Sequence, residues 1–149
     1  MRGKYIVIEG TDGSGKSTVQ ENLSQWLKAQ GKVVWDAHEP GSTPMAEAIR
    51  TIVKDGTLKR TPMTELLLFT AARLELIDEI RRRLAQGEWV MSSRNYLSSI
   101  VYQGKARGLG VDKVMNICHE FLPKDYLMPD MMIVIDVAID TASTRREQR

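Results

Sequence analysis

The sequence predicts an α/β fold in which a mostly parallel sheet is flanked by helices on both faces. Short apolar runs typical of buried strands occur at residues 5–8, 32–35, 88–91 and 131–137, and segments with helical spacing alternate with them. The last run is apolar throughout, which favours a strand buried on both faces of the sheet. No repeat, low-complexity segment or linker interrupts this pattern, so residues 1–149 are expected to form one domain.

The helices have recognisable boundary signals. Thr61 and Pro62 suit the N-cap and first turn of a long helix, while Gly31 and Gly87 follow the ends of two others. Helices are therefore expected at residues 17–29, 44–53, 62–85, 96–103 and 112–122, with a last one beginning at residue 140 or 141.

The composition is that of a soluble globular protein, with 42% hydrophobic and 27% charged residues. Its 21 Lys and Arg against 19 Asp and Glu give a net charge of only +2, which does not favour a nucleic-acid or membrane partner. The single cysteine, Cys118, excludes an intramolecular disulfide. No apolar run approaches the ~18 residues of a membrane span, and a cytoplasmic location is expected.

Residues 10–17 fit the phosphate-binding pattern G-x-x-x-x-G-K-[ST] at every fixed position. A predicted strand precedes the pattern and a predicted helix follows it, which is the arrangement that phosphate binding by such a loop requires. Backbone N–H groups of such a loop, with the positive end of the helix dipole, hold nucleotide phosphates. The expected ATP-phosphate contacts are Gly10, Gly13, Ser14, Gly15, Lys16, Ser17 and Thr18. The alternative is a glycine-rich turn with no ligand.

Within this loop Lys16 and Ser17 have separate chemical tasks. The Lys16 ammonium would contact the β- and γ-phosphates of ATP, and the Ser17 hydroxyl would be a ligand for Mg²⁺. The predicted fold is therefore a three-layer sandwich of the P-loop NTPase type, with Mg²⁺-bound ATP as the nucleotide.

A second group of residues suggests a pocket for a planar base. Phe69 and Arg73 share one helical face. No carboxylate lies three or four residues before or after Arg73, so Arg73 has no ion-pair partner on its own helix. A ring beside a guanidinium suits stacking and hydrogen bonding to a base, although Phe69 in the core and Arg73 in a long-range ion pair is an equal alternative. Ser99 and Gln103, four residues apart, form a weaker polar pair beside Tyr102.

The arginines divide into two kinds. Arg94, at a strand end, and Arg50, on the helix after the Glu39 loop, are well placed for phosphate contacts. The run at residues 81–83 follows Asp78 and Glu79 by about one helical turn, so a solvated face with helical ion pairs is expected there.

Together these segments resemble the thymidylate kinases, P-loop enzymes that phosphorylate dTMP, and in particular their bacterial branch. The matching segments lie at residues 8–17, 39–41, 46–50, 68–73, 94, 98–99, 102–104, 106–108, 129–130 and 135–137. Phe-x-Ala-Ala-Arg followed by Tyr-Gln-Gly is the most specific part, because many NTPases share the P-loop.

The resemblance implies roles for individual residues. Phe69 would stack on thymine, Arg73 would bind its O4, and Ser99 and Gln103 would contact its polar edge. Tyr102 would lie against the deoxyribose, Arg50 and Arg94 would hold the dTMP phosphate, and Asp12 and Glu39 would lie near the sugar hydroxyl and the reacting phosphates. Lys16, Arg94 and Asp12 are the expected catalytic residues. A homodimer packed through helices is also implied.

The chain departs from the family pattern at three positions, of which position 93 is expected to lie near the Mg²⁺ ion. Ser93 replaces the usual aspartate before Arg94, His38 replaces an arginine before Glu39, and Ser42 replaces a glycine. The family's lid and last strand would largely follow residue 149, with Arg145, Arg146 and Arg149 at the lid's beginning. These departures predict that the chain binds dTMP better than it phosphorylates it. Another small P-loop kinase or a non-catalytic nucleotide-binding remnant are the alternatives.

Overall fold

The computed structural model describes residues 1–147 and places four strands in one parallel sheet. The strands are β1 (Tyr5–Gly10), β2 (Val34–His38), β3 (Trp89–Ser93) and β4 (Met131–Ile135). Their order is β2, β3, β1, β4, and every neighbouring pair is parallel. The predicted parallel α/β fold is confirmed. The carboxyl ends of all four strands consequently lie at one edge, where ligands bind in such sheets.

Seven α-helices are described: α1 (Lys16–Ala29), α2 (Pro44–Lys54), α3 (Pro62–Ala85), α4 (Tyr96–Ser99), α5 (Val111–Phe121), α6 (Lys124–Leu127) and α7 (Ile139–Glu147). Thr61 caps α3 as expected, because its side chain accepts a hydrogen bond from the Thr64 N–H. The helix predicted over residues 96–103 is instead α4 followed directly by a π-helical segment, Ile100–Ala106. The four-residue α6 was not predicted, because one turn is too short to show periodicity.

Alternate residues of β1 face opposite helical layers. Tyr5 and Val7 join a large apolar cluster with α3, α5 and α6, whereas Ile6 packs with Leu27 of α1 and Met91 of β3. Burial on both faces explains why β1 has no polar position before its carboxyl end. The result is the predicted three-layer arrangement, which fixes the P-loop between β1 and α1.

The expectation that the fourth strand is buried on both faces is wrong for the described structure. β4 lies at the edge of the sheet, and Met131 and Val134 are 54% and 65% exposed. A continuous apolar run identifies a strand, but it cannot show how many neighbours cover it. The strand also ends at Ile135, two residues earlier than predicted.

The arginine run on α3 forms a charged face, as expected. Arg82 and Arg83 both pair with Glu79, with N···O distances of 2.7 and 2.6 Å. Arg81 pairs with Asp125 at the start of α6, a long-range partner that the helical spacing could not indicate. The run therefore stabilises the surface of α3 and lies apart from the ligand site.

Candidate active site

The P-loop joins the carboxyl end of β1 to α1. Gly15 has φ 98° and lies immediately before α1, in the left-handed region that favours glycine. The Lys16 ammonium donates to the carbonyl oxygens of Gly10 and Thr11, at 2.9 and 2.8 Å. Its charge is thus held within the loop, beside the N–H groups that would bind phosphate.

Helix α7 packs directly on this loop. A Cβ at Gly13, which has φ 85°, would lie 2.2 Å from the carbonyl oxygen of Ala142. Gly13 is therefore required by close backbone packing as well as by its conformation. A Cβ on Gly15 would lie 3.8 Å from Nη1 of Arg145, which places that arginine near the loop. Arg149 lies outside the described residues.

A cavity of about 670 Å³ opens at the same edge of the sheet. Its lining includes all nine residues predicted to contact dTMP: Asp12, Glu39, Arg50, Phe69, Arg73, Arg94, Ser99, Tyr102 and Gln103. These residues come from the P-loop, the loops after β2 and β3, the helices α2, α3 and α4, and the π-helical segment. The fold thus brings together positions separated by up to 91 residues.

One end of the cavity, around Arg73, contains a buried ion pair. Arg73 Nε donates to Glu39 Oε2 at 2.8 Å, and the Tyr126 hydroxyl donates to Glu39 Oε1 at 2.6 Å. Burial raises the pKa of Glu39, although Arg73 and Tyr126 oppose that effect. The long-range ion-pair partner expected for Arg73 is therefore present, although Phe69 is only half-buried and both residues line the cavity.

One nitrogen of the Arg73 guanidinium has no hydrogen-bond partner among the described residues. Its Nη2 donates to the carbonyl oxygen of Asn95 at 3.1 Å, whereas Nη1 is buried with no hydrogen-bond partner among the described residues. The Phe69 ring lies 5.9 Å from the guanidinium carbon and lines the same cavity. A buried donor without a partner is costly, so a ligand acceptor there would be favourable.

Arg94 is held by a chain of polar contacts at the other end. Its Nη2 lies 2.5 Å from Asp12 Oδ1, and its Nη1 donates to the Ser98 hydroxyl at 2.8 Å. That hydroxyl in turn donates to Glu9, 3.0 Å away. The guanidinium lies 5.3 Å from the centre of the Tyr102 ring. These contacts orient the arginine before any phosphate arrives.

The end of α4 and the π-helical segment that follows it place polar groups in the wall of the cavity. Ser99 and Gln103 are 1% and 5% exposed, and both line the cavity with the half-buried Tyr102. The Arg107 N–H donates to the Tyr102 carbonyl, five residues back, which shows the wider π turn. Gln103 Nε2 donates to Glu65 Oε2 at 3.0 Å.

A smaller cavity of about 240 Å³ lies over the P-loop. Among the predicted phosphate contacts, Gly13, Gly15, Lys16 and Ser17 line it, whereas Gly10, Ser14 and Thr18 do not. The two cavities share four lining residues: Asp12, Glu39, Arg50 and Arg94. The two spaces therefore meet at a group of charged side chains.

Two of the three departures from the family pattern are neighbours in the sheet. His38 and Ser93 are register partners on β2 and β3, and both line the smaller cavity. Ser42 has φ 72°, a conformation that favours glycine. Its hydroxyl accepts from the His38 N–H at 2.8 Å, and its own N–H donates to Glu47 at 2.7 Å. These hydrogen bonds hold the serine where a glycine would fit without strain.

Among the residues that were not predicted, the side chains of Glu9, Glu65, Ser98 and Tyr126 form hydrogen bonds with predicted site residues. Glu9 had a usable signal, because it is the acidic residue at the carboxyl end of β1. Glu65, Ser98 and Tyr126 are polar residues on helices, and their spacing alone does not distinguish them from surface positions.

Comparisons with known proteins agree with this geometry. The thymidylate kinase family model matches residues 8–149. A thymidylate kinase of Chlamydia felis is 40% identical over 147 residues, covering 97% of this chain and 71% of that protein. A thymidylate kinase of Thermosipho africanus is 42% identical over 146 residues, which cover 97% of this chain and 72% of that protein. The crystal structure of thymidylate kinase from Ehrlichia chaffeensis superposes with a TM-score of 0.81 at 28% identity, covering 99% of this chain and 80% of that one. The chain belongs to the thymidylate kinase family.

Proposed function

We propose that the protein transfers the γ-phosphoryl group of ATP to dTMP, giving ADP and dTDP in the synthesis of dTTP. The observation that carries this proposal is the shared lining of the two cavities by Asp12, Glu39, Arg50 and Arg94. A donor bound over the P-loop and an acceptor in the larger cavity would bring their phosphates together among these charges. Family membership supports the same activity.

The P-loop side suits the nucleotide donor. Lys16 and the loop N–H groups would hold the β- and γ-phosphates. The Ser17 side chain is exposed and lines the smaller cavity, so its hydroxyl fits a metal that keeps water and phosphate oxygens as its other ligands. Mg²⁺ held there would neutralise phosphate charge. No cluster of three or more His, Cys, Asp or Glu that could hold a metal occurs within residues 1–147.

The larger cavity suits a thymidine nucleotide. The Phe69 ring offers a stacking face, and the unpartnered Arg73 Nη1 offers a donor for the O4 carbonyl of the base. Ser99 and Gln103 would contact the polar edge, and Tyr102 would pack on the deoxyribose. Glu39 would act mainly by fixing Arg73, because both of its carboxylate oxygens already have protein partners.

Positioning and charge account for most of the expected catalysis. A dTMP phosphate is already anionic, so it needs orientation and charge neutralisation more than a general base. Arg50, whose Nη1 is fixed on the Pro40 carbonyl at 2.6 Å, and Arg94 would hold it in line with the γ-phosphate. Asp12 would release Arg94 to the phosphate, and Arg145 lies close enough to the P-loop to add charge there.

A coupled assay of ADP release tests the proposal. With ATP and Mg²⁺ present, dTMP should be phosphorylated in clear preference to dCMP, dGMP and AMP. Calorimetry with dTMP alone separates binding from turnover, since Ser93 removes a carboxylate beside the phosphates. Binding of dTMP without turnover would favour a non-catalytic nucleotide-binding role, and preference for another acceptor would favour a different P-loop kinase.

The proposal includes a cytoplasmic homodimer that binds neither membrane nor nucleic acid. Leu67 and Leu74, seven residues apart on α3, are 48% and 42% exposed, which supports a helix-packed dimer. No helix within residues 1–147 has the length and apolar character to cross a membrane. Light scattering after size-exclusion chromatography would show the dimer, and Leu74→Glu should weaken it.

A further inference from the structure

The side chain of Glu65 contacts a residue that we place at the base edge. Glu65 Oε2 accepts a hydrogen bond from Gln103 Nε2, 3.0 Å away. Both residues line the larger cavity, and Gln103 is 5% exposed. The contact links α3 to the π-helical segment, 38 residues further along the chain.

This contact fixes which end of the Gln103 amide faces Glu65. An ionised carboxylate can only accept hydrogen bonds, so the amide nitrogen must lie towards it and the carbonyl oxygen must lie on the other side. Arg60 Nε and Arg107 Nε lie 3.6 and 3.9 Å from the Glu65 oxygens, so two positive charges border the carboxylate. The orientation therefore follows from the chemistry of Glu65.

We propose that Glu65 determines base specificity by holding Gln103 with its carbonyl available to the acceptor base. This inference rests on the proposed function, in which Gln103 contacts the base. A carbonyl oxygen selects a base that presents a ring N–H, while the reserved Nη1 donor of Arg73 selects an adjacent carbonyl. Thymine and uracil present that pair, as O4 beside N3–H.

Cytosine presents the opposite pattern. It has an amino group at position 4 and an unprotonated ring nitrogen at position 3, so it would place a donor against Arg73 and an acceptor against the Gln103 carbonyl. A glutamine free to rotate could offer its amino group to that ring nitrogen instead. Glu65 prevents this rotation, and so acts as a positioning residue that excludes cytosine through Gln103.

The test compares Glu65→Gln with the wild-type chain, because this substitution keeps the shape but allows either amide orientation. The kcat/KM ratio of dTMP to dCMP should fall about tenfold or more, mainly through KM. The ratio of dTMP to dUMP should stay within about twofold, since both bases present the same edge. Removing the Glu65 charge affects all phosphorylated ligands alike, so these ratios cancel that effect. Dissociation constants from calorimetry give the same comparison without turnover.

Glu75→Gln is the matched control, since it makes the same change at an exposed position of α3. It should leave both ratios unchanged. If the Glu65→Gln variant keeps the wild-type ratio of kcat/KM for dTMP to that for dCMP, the inference is overturned while the proposed function stands. Glu65 would then only connect α3 to the π-helical segment. A wild-type chain that does not prefer dTMP to dCMP would overturn the proposed function, and this inference with it.

Discussion

The buried ion pair between Glu39 and Arg73 should make the base site a determinant of stability. Their side chains are 2% and 4% exposed. Glu39→Gln would leave the Arg73 charge buried with only the Asn95 carbonyl as a described hydrogen-bond acceptor besides the new amide. Breaking one partner of such a pair costs ~3–5 kcal/mol. For a domain of this size each kcal/mol lowers Tm by roughly 3 °C, so a loss of about 10 °C is expected.

Urea unfolding followed by circular dichroism measures this loss, with thermal melts as a second readout. The matched control is Glu47→Gln, because Glu47 pairs with His38 at the surface, where both side chains are 46% exposed. That change should cost less than about 1 kcal/mol. Tyr126→Phe removes only the hydrogen bond from the Tyr126 hydroxyl to the Glu39 carboxylate and should cost about 1–3 kcal/mol.

A double-mutant cycle shows whether the two charges are coupled. Arg73→Met combined with Glu39→Gln should cost clearly less than the sum of the two single substitutions, because neither variant residue leaves a buried charge. A Glu39→Gln loss no larger than that of Glu47→Gln, or strictly additive losses in the cycle, would refute the reasoning. Affinity for dTMP should fall in both single variants.

Three further predictions concern the phosphate side and the surface. Ser93→Asp should raise activity and lower the Mg²⁺ concentration needed for half-maximal rate, by restoring a carboxylate to the smaller cavity; an unchanged Mg²⁺ titration would count against this role. Gly13→Ala should destabilise the fold by about 1–3 kcal/mol and weaken ATP binding, because its Cβ would meet the Ala142 carbonyl at 2.2 Å; normal ATP affinity in calorimetry would contradict it. Hydrogen bonds from Arg82 and Arg83 lower the pKa of Glu79 to about 2, so its stabilising effect is present above pH 4.5 and is lost as the pH falls towards 2. Glu79→Gln should therefore cost about 1 kcal/mol at pH 7, and its unfolding curve should converge with that of the wild type only as the pH falls to about 2.

The P-loop and the nine proposed dTMP contacts could be predicted because they depend on local patterns or on a specific family resemblance. The strand, the glycine-rich loop and the helix of the P-loop unit occupy consecutive residues, so a local sequence pattern is sufficient to identify it. Phe69 and Arg73 lie on one helix, and their common face follows from the helical period.

The partners of these residues could not be predicted in the same way. Glu39 lies 34 residues from Arg73, and Tyr126 lies 87 residues from Glu39. Such pairs depend on how separate elements pack, and the charges of one sequence allow many combinations. The π-helical segment was not predicted either. Over only seven residues, the spacing of apolar side chains does not distinguish a π-helix from an α-helix.

The two halves of the site should respond differently to substitution. At the base end, Glu39 and Arg73 contact the buried cluster that includes Tyr126, so changes there should reduce stability and affinity together. At the phosphate end, Asp12 is 61% exposed and Ser93 lies at a strand end, so changes there should alter turnover with little effect on folding. Two of the three departures from the family pattern, His38 and Ser93, line the smaller cavity. Under the proposed function, selection of the base would therefore depend on the folded core, whereas the rate of transfer would depend on groups that can vary without disrupting that core.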